Sequence, residues 1–277
     1  AKSIQKLDIY EKERPVGIQI FGANLESMLR SVEIVEASKP DIIDINFGCP
    51  VKKVVSKGAG AGILRDIPLM VKLTEAMSKR TNLPITVKTR LGWDDASIKI
   101  VEVAERLQDA GAKAISIHGR TRAQMYKGDA DWHPIAAVKN NQRMQIPIFG
   151  NGDVNSPEKA KLMRDEFGLD GAMIGRASIG NPWFFDEVKH FLATGTHATP
   201  PTIEDRVEVA RRHLEMAINW NGETQGVLET RRHYTNYFKG IPNFKPLRTR
   251  MVTSNESVSV FDVFKEILEQ FSSQETV

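Results

Sequence analysis

Short apolar runs alternate along most of the chain with longer stretches in which apolar residues recur at helical spacing. The short runs are rich in Ile and Val and predict strands: Val16–Phe21, Ile42–Asn46, Ile85–Thr89, Ala114–His118, Ile146–Gly150 and Ala172–Gly175. The longer stretches predict helices: Leu25–Ala37, Pro68–Lys79, Ser97–Ala110 and Pro157–Glu166. Strands that alternate with helices predict βα units and a parallel sheet.

The strand pattern stops near Thr199. Beyond it only helical patterns follow: Asp205–Trp220, Gln225–Tyr237 and Ser257–Phe271. The segment 195–202 contains Gly, Thr and two prolines, which is typical of a domain boundary. We therefore predict a β/α domain over residues 1–198 and a small helical domain over residues 199–277.

Polar residues within the strands favour a barrel over an open, doubly wound sheet. If the Ile and Val residues face outer helices, the opposite face carries polar groups near the strands' carboxyl ends: Gln19, Asp44, Asn46, Lys88, Arg90, Ser116 and His118. A doubly wound sheet buries both faces under helices, whereas a barrel accepts polar groups at the mouth where ligands bind. A barrel needs eight strands and six are visible, so we expect a parallel β/α barrel that lacks two strands at its front.

Composition narrows the class of protein further. No run of about 18 apolar residues occurs, and residues 1–10 lack the apolar core of a signal peptide. Cys49 is the single cysteine, which excludes an internal disulfide and favours a reducing cytoplasm; with scattered histidines it also predicts no metal site. The net charge of +3 permits a nucleic-acid partner without requiring one. We expect a cytoplasmic monomer.

Glycine-rich loops follow the last two predicted strands. They are Gly150-Asn151-Gly152-Asp153 and Gly175-Arg176-Ala177. In a barrel that lacks its first two strands, these loops follow strands seven and eight, where such barrels commonly hold a phosphate. Glycine lets the backbone approach an anion, and Arg176 adds charge-assisted hydrogen bonds. The alternative is a pair of ordinary turns.

Three further features carry candidate chemistry. Lys88 and Arg90 share a strand face, and a Lys there needs an anionic partner, either a reduced flavin or Asp44 in a structural ion pair. Cys49 follows a strand and can donate a proton in a dry site, unless it only fills space as a small apolar residue. A third feature is a loop of cations and aromatic residues after the fourth strand, which could receive phosphates and stack a base or could simply be solvated: His118-Gly119-Arg120-Thr121-Arg122, Gln124, Tyr126, Lys127 and Trp132.

Together these motifs resemble those of the tRNA-dihydrouridine synthases, most closely the bacterial B-type branch. The matching stretches occur in order within residues 16–248: Asp44–Val54, Thr86–Trp93, His118–Arg122, Tyr126–Trp132, Gly150–Asp153 and Met173–Arg176. The resemblance implies an FMN-dependent β/α-barrel oxidoreductase that reduces uridine to 5,6-dihydrouridine in the D-loop of tRNA, with NADPH as reductant.

The resemblance also assigns roles to residues. It implies that Cys49 is the proton donor to uracil. It implies that the flavin site contains Gln19, Asn46, Lys88, Arg90, His118, Asn151, Gly152, Asp153, Gly175 and Arg176. It implies substrate or tRNA contacts for Lys127, Arg231, Arg232, Lys239 and Arg248, and Arg120 joins this group because of its place in the basic loop.

One departure and two alternatives stay open. The family begins with a strand that ends in a Pro-Met motif against the flavin, and no such segment precedes Gln19. The first alternative is an FMN barrel that acts on a free pyrimidine, as a dihydroorotate dehydrogenase does, which would not need the basic helical tail. The second is a truncated protein that binds tRNA without turnover.

Overall fold

Six parallel strands form one sheet in the computed structural model, which describes residues 7–272. The strands are β1 (Gly17–Ile20), β2 (Ile42–Asn46), β3 (Ile85–Arg90), β4 (Ala114–His118), β5 (Ile148–Asn151) and β6 (Gly171–Met173). Their spatial order is the chain order, and each pairs in parallel with the next. A doubly wound sheet reverses its strand order part way across. The sheet is therefore singly wound, as in a β/α barrel, which confirms the predicted fold class.

Helices follow the strands and fill the C-terminal part of the chain. They are α1 (Leu25–Glu36), α2 (Lys52–Val55), α3 (Ile67–Arg80), α4 (Ile100–Asp109), α5 (His133–Lys139), α6 (Pro157–Asp165), α7 (Phe184–Thr194), α8 (Ile203–Asn221), α9 (Glu223–Tyr237), α10 (Lys245–Thr253) and α11 (Ser257–Phe271). Short polar side chains fix several starts: Asn24 accepts from the backbone N–H of Ser27 at 2.9 Å, and Asp66 accepts from that of Leu69 at 3.0 Å.

The two faces of the sheet differ as the sequence pattern predicts. Apolar strand residues on one face are fully buried: Ile43, Ile45, Ile85, Val87, Ile115 and Ile117. The register places polar residues of neighbouring strands side by side on the other face, in three rows: Gln19, Asp44 and Thr86; Asn46, Lys88 and Ser116; Arg90, His118 and Asn151. Side chains in one row project together from the sheet, so they form a common polar surface near the strands' carboxyl ends.

Backbone contacts divide the chain into two compact units. The first runs to Val154 and includes Glu158–Ile174; the second holds Asn155–Pro157 and the chain from Gly175 onward. The second unit has its own core, formed by helices α8 to α11 around side chains such as Leu214, Tyr234 and Phe264. The assignment of residues 1–198 to a cofactor domain and 199–277 to a tRNA-binding domain stays a prediction, because compactness does not show what a unit binds.

Residues 7–272 contain no helix that is both long and apolar enough to span a membrane.

Candidate functional site

A chain of hydrogen bonds connects the polar face of the sheet to the backbone of Cys49. Gln19 Nε2 donates to Asp44 Oδ2 at 2.6 Å, and Asn46 Nδ2 donates to Gln19 Oε1 at 2.7 Å. The other half of the Asn46 amide, Oδ1, accepts from the backbone N–H groups of Gly48 at 2.9 Å and Cys49 at 3.0 Å. A strand side chain therefore sets the conformation of the loop that carries the cysteine.

The carbonyl side of Cys49 is fixed as well. Its oxygen accepts from the backbone N–H of Ala61 at 2.9 Å. Gly60, at φ +55°, lies so close that a Cβ there would come within 2.8 Å of the same oxygen. The Cys49 side chain is partly exposed and forms no disulfide. Cys49 is thus held by both its backbone groups while its side chain stays accessible.

Lys88 occupies the row of the polar face that also contains Asn46. Burial lowers the pKa of Lys88 to about 8, and the charge of Arg90 adds to this effect while Asp44 opposes it. Among residues 7–272 the ammonium has no hydrogen-bond or ion-pair partner, because Asp44 accepts instead from Gln19 and Thr86, both at 2.6 Å. The alternative of a Lys88–Asp44 ion pair is therefore wrong for the described structure. A half-buried ammonium without a hydrogen-bonded or ion-pair partner in residues 7–272 fits a site for an anionic or electron-rich ligand.

Arg90 lies beneath the loops rather than among them. Its side chain is 2% exposed, and its guanidinium donates to the carbonyl oxygens of Gly48 at 2.8 Å, Thr121 at 3.0 Å and Met125 at 2.9 Å. These carbonyls belong to the loops that follow β2 and β4. Arg90 therefore ties the Cys49 loop to its neighbour.

His118 is neutral. Its Nε2 lies 3.2 Å from Arg120 Nη1, and a guanidinium can only donate, so Nε2 accepts and the proton sits on Nδ1. Burial lowers the pKa of His118 to about 3, with further contributions from the charges of Arg90 and Lys88. His118 can therefore orient a ligand as a neutral hydrogen-bonding group, and it does not act as an acid near neutral pH.

Arg120 and Asp153 form a buried ion pair between the loops after β4 and β5. The Nη2–Oδ2 distance is 2.5 Å, and Arg120 is 2% exposed. Arg120 also donates to the carbonyl oxygens of Gly128 at 2.6 Å and Lys127 at 3.3 Å. The loop thus presents Lys127 to solvent and keeps Arg120 inside. A direct contact between Arg120 and tRNA stays a prediction.

The first glycine-rich loop is packed against the protein itself. Gly152 has φ +117°, and a Cβ there would lie 2.7 Å from the Ala130 side chain and 3.0 Å from the His118 ring. Its carbonyl accepts from Trp132 Nε1 at 3.2 Å, and Asn151 Nδ2 donates to the carbonyl of Met173 at 2.8 Å. Packing alone thus requires glycine at this position.

The second glycine-rich loop belongs to the second unit. Gly175 precedes a 3₁₀ turn over Arg176–Ser178, and Ser178 N–H donates to its carbonyl at 3.1 Å. A phosphate site shared by the two loops stays a prediction.

In the helical tail, the predicted tRNA-binding arginines differ in their surroundings. Arg231 donates to the carbonyls of Ser254 at 3.1 Å and Thr253 at 3.3 Å, so it caps the end of α10. Arg232 is exposed, and its Nε lies 3.1 Å from His233 Nε2. Arg231 is therefore used structurally, whereas Arg232 faces solvent.

Lys239 and Arg248 line one groove of the second unit. Lys245 and the aromatic side chains of Phe238 and Phe244 line it as well. Lys245 escaped prediction from the sequence, although its spacing of three from Arg248 in a helical segment places both on one side of a helix.

The role of the small-residue segment after Cys49 also escaped prediction. Gly58-Ala59-Gly60-Ala61-Gly62 turns back against the cysteine loop, and Ala61 supplies a hydrogen bond to it. Three glycines in five residues indicate close backbone packing, which could have pointed to this contact.

The fold and the site together define a class: a singly wound parallel β/α protein with a cluster of polar side chains near the carboxyl ends of its strands. The chain belongs to the dihydrouridine synthase family, whose family model matches residues 1–274. The resemblance drawn from its motifs is thereby confirmed.

Curated relatives match over most of this chain. It is 39% identical over 251 residues to the probable tRNA-dihydrouridine synthase 1 of Synechocystis sp., covering 91% of this chain and 70% of that protein. It is 39% identical over 236 residues to tRNA-dihydrouridine synthase B of Pseudomonas putida, covering 85% and 69% respectively. It is 34% identical over 266 residues to a probable tRNA-dihydrouridine synthase of Rickettsia bellii, covering 96% and 81%.

Proposed function

We propose that this chain is an FMN-dependent tRNA-dihydrouridine synthase that reduces uridine to 5,6-dihydrouridine in the D-loop of tRNA, with NADPH as reductant. One observation carries the proposal: the Asn46 side chain holds the Cys49 loop at the same row of the sheet where Lys88 has no partner. A proton donor and an unpaired cation thus share one edge of the sheet. Family membership and the names of the relatives support the RNA substrate.

The polar face fits a flavin. The Lys88 ammonium would answer negative charge on the bound ring system, and neutral His118 would add a hydrogen-bonding group beside it. When bound, FMN would supply the hydride that adds to C6 of uracil, with NADPH replacing that hydride in each cycle. The protein would bind the flavin, orient it, and provide the charge that faces it.

Cys49 completes the addition by protonating C5. Its Sγ–H bond breaks, a C–H bond forms at C5 of the ring, and the thiolate recovers a proton from solvent. The fixed backbone of Cys49 supports this role, because both its N–H and its carbonyl are bound while the side chain remains accessible. The target uridine must leave its stack to reach this loop, which is less costly in a tRNA loop than in a duplex.

The helical tail offers a surface for tRNA. Lys239, Lys245 and Arg248 surround one groove, and three cations at one place are suited to a phosphate backbone. The chain carries a net charge of +3, which does not oppose such binding. A tRNA substrate and a single free cysteine together support a cytoplasmic location.

The test is product formation on tRNA. The purified chain, FMN and NADPH are incubated with an unmodified tRNA transcript, and nuclease fragments of the tRNA are weighed by mass spectrometry. We expect a gain of two hydrogens in a D-loop fragment, and no gain when NADPH is left out. Reduction of free uracil or orotate without reduction of tRNA would instead establish the alternative of a free-pyrimidine enzyme. A complex with tRNA that forms no product would establish the binding-only alternative.

A further inference from the structure

Two arginines stack on one indole in the first unit. Trp93 lies in the loop after β3, and its ring centroid is 4.4 Å from Cζ of Arg65 and 4.6 Å from Cζ of Arg122. The backbone fixes this arrangement, because Arg122 N–H donates to the carbonyl of Gly92 and Ala123 N–H donates to that of Trp93, both at 2.9 Å. Cation–π contacts hold the two guanidiniums in place.

Neither guanidinium has an acidic partner. Within residues 7–272, Arg65 and Arg122 make no side-chain hydrogen bond or ion pair, and the buried Nε of Arg122 has no acceptor. The neighbouring carboxylate of Asp66 is already used, since it caps α3. A buried donor without an acceptor is destabilising, and the two like charges repel each other. An anion bound beside the exposed Arg65 would reduce the repulsion between the two guanidiniums.

Short connections link this cluster to the Cys49 loop. Arg65 ends the 3₁₀ segment Gly60–Arg65, in which Ala61 N–H holds the carbonyl of Cys49. Trp93 follows three residues after Arg90, which holds the carbonyl of Gly48. The two segments that fix the Cys49 loop therefore also carry Arg65 and Trp93, and Arg122 lies on the next loop, after β4.

We propose that Arg65, Trp93 and Arg122 form a subsite for the sugar–phosphate backbone of the RNA strand that carries the target uridine. This inference rests on the proposed function, because a strand that delivers uracil to Cys49 brings its flanking phosphates to the same edge of the sheet. A guanidinium held over an indole face can still donate from its remaining N–H groups, and such a fork matches two phosphate oxygens at once. The phosphates of a nicotinamide dinucleotide share this chemistry, so the experiment must separate the two sources.

The experiment compares Arg65→Met, Arg122→Met and the double variant with the native chain. Equilibrium binding to an unmodified tRNA transcript is measured over a series of salt concentrations, and flavin reduction is measured as a function of NADPH concentration. We expect each single variant to weaken tRNA binding several-fold at low salt. The slope of log K against log salt should fall by about 0.7–0.9 for each phosphate that the variant no longer neutralises. The concentration of NADPH at half-maximal rate should not change.

Arg106→Met is the matched control. Arg106 lies in the last turn of α4, at the opposite end of that βα unit from the carboxyl edge, and its Nη1 is 3.5 Å from Glu102. The Arg106→Met variant loses one positive charge from the same compact unit as Arg65 and Arg122. Its tRNA affinity and the salt dependence of that affinity should stay native. Arg122→Lys keeps the charge but loses the planar fork, and it should bind with intermediate affinity. Because Arg65 is exposed, Arg65→Met provides the test should Arg122→Met fail to fold.

Three outcomes overturn the inference. Native affinity and native slope in both single variants would show that the arginines do not contact RNA. A weakened response to NADPH with unchanged tRNA binding would assign the cluster to the dinucleotide. A native chain that does not bind tRNA at all would refute the proposed function and this subsite together, whereas the first two outcomes leave the proposed function intact.

Discussion

Asn46 shows how a single side chain connects a strand to the Cys49 loop. Its amide nitrogen donates to Gln19 and its amide oxygen accepts from two successive backbone N–H groups. Aspartate would lack the donor, and a longer glutamine would displace the acceptor. The position therefore requires asparagine for both geometry and hydrogen-bonding capacity.

Replacing Asn46 with Ala tests whether the position of the Cys49 loop affects activity beyond the effect of lost stability. The change leaves the N–H groups of Gly48 and Cys49 without their acceptor, so we expect the free energy of unfolding to fall by about 1–3 kcal/mol and uridine reduction to fall with it. Asn24→Ala is the control, because it removes a helix cap at a typical cost of about 1 kcal/mol. For each variant, denaturant titration gives the free energy of unfolding and the rate of tRNA reduction gives the activity. Equal activity in the two variants would contradict the positioning role.

Lys88 illustrates a residue that reduces stability at a site where a ligand is expected. Its pKa falls from 10.5 to about 8 because the ammonium is buried, which corresponds to a cost of roughly 3 kcal/mol at neutral pH. Between pH 8 and 10.5 the unfolded chain holds this proton and the folded chain does not. The contribution of Lys88 to the free energy of unfolding therefore becomes less unfavourable as the pH rises across that window.

The substitution Lys88→Met should accordingly stabilise the flavin-free protein at pH 7, by up to about 3 kcal/mol, and by less at pH 9.5. The same variant should lose flavin affinity, because the cation that faces the ligand is gone. Lys79→Met, at an exposed position paired with Glu75, should change stability little at either pH. Denaturant titrations at the two pH values provide the check. A Lys88→Met protein that is less stable than the native chain at pH 7 would refute an ammonium that is partly desolvated and has no ion-pair partner.

At the scale of elements, the Arg120–Asp153 ion pair connects the loops after β4 and β5. Arg120→Ala removes the cation that faces the largely buried Asp153 carboxylate, which keeps its hydrogen bond from Ala130 N–H at 2.8 Å, so we expect a loss of up to about 3–5 kcal/mol in the free energy of unfolding. The double variant Arg120→Ala, Asp153→Ala should lose less than the sum of the two single changes. Additive losses in this double-mutant cycle, measured by thermal or denaturant unfolding, would exclude the coupling. Arg106→Ala, which breaks an exposed pair, should cost less than about 1 kcal/mol.

The strands could be predicted from the sequence because each is a short Ile- and Val-rich run. β2 and β4 have the bounds that the pattern predicts, whereas β5 begins at Ile148 instead of Ile146. Pro147 explains the difference, since it has no N–H to donate within a sheet. Its carbonyl still accepts from Ile115 N–H at 3.1 Å.

Four of the helices in residues 7–272 escaped prediction, for physical reasons. Helix α2 is a single turn of four residues, too short to show a helical period. Helix α5 is short, and α7 begins with adjacent aromatic residues that obscure a helical period. Helix α10 buries only Leu247 and Met251 along one side, so its sequence Lys-Pro-Leu-Arg-Thr-Arg shows little apolar periodicity. Tertiary packing in the second unit, rather than an amphipathic pattern, accounts for this helix.

For the whole molecule, the sequence placed the polar face and the cysteine loop but not the contacts that support them. Alternation along each strand is enough to put Asn46 and Lys88 on one face. The hydrogen bonds from Arg90 to three carbonyls, and the pairing of Arg120 with a residue 33 positions away, depend on loop conformations that no local pattern specifies. Both arginines were predicted from the sequence as ligand contacts; the structure adds that each also holds the loops together, and the ligand contacts themselves stay predictions.

The helical tail should contribute to tRNA binding through the groove that Lys239 and Arg248 line. The double variant Lys239→Gln, Arg248→Gln should weaken tRNA binding and its salt dependence while flavin content stays native. Arg250→Gln, Lys265→Gln removes the same two residue types from pairs with Glu266 and Asp262, so it is the matched control. Equal tRNA affinity in both double variants, measured by equilibrium titration, would remove the groove from the interface.

The central claim is that Cys49 protonates uracil, and transient kinetics of Cys49→Ala tests it most directly. Reduction of the protein's flavin by NADPH does not involve uracil, so its rate should be native. Reoxidation by tRNA requires the proton donor and should slow by about 10²–10⁴-fold. Each half-reaction is followed separately by stopped-flow absorbance of the flavin, with native tRNA affinity as the control for folding. A Cys49→Ala protein that is reoxidised by tRNA at the native rate would show that the cysteine is not the acid.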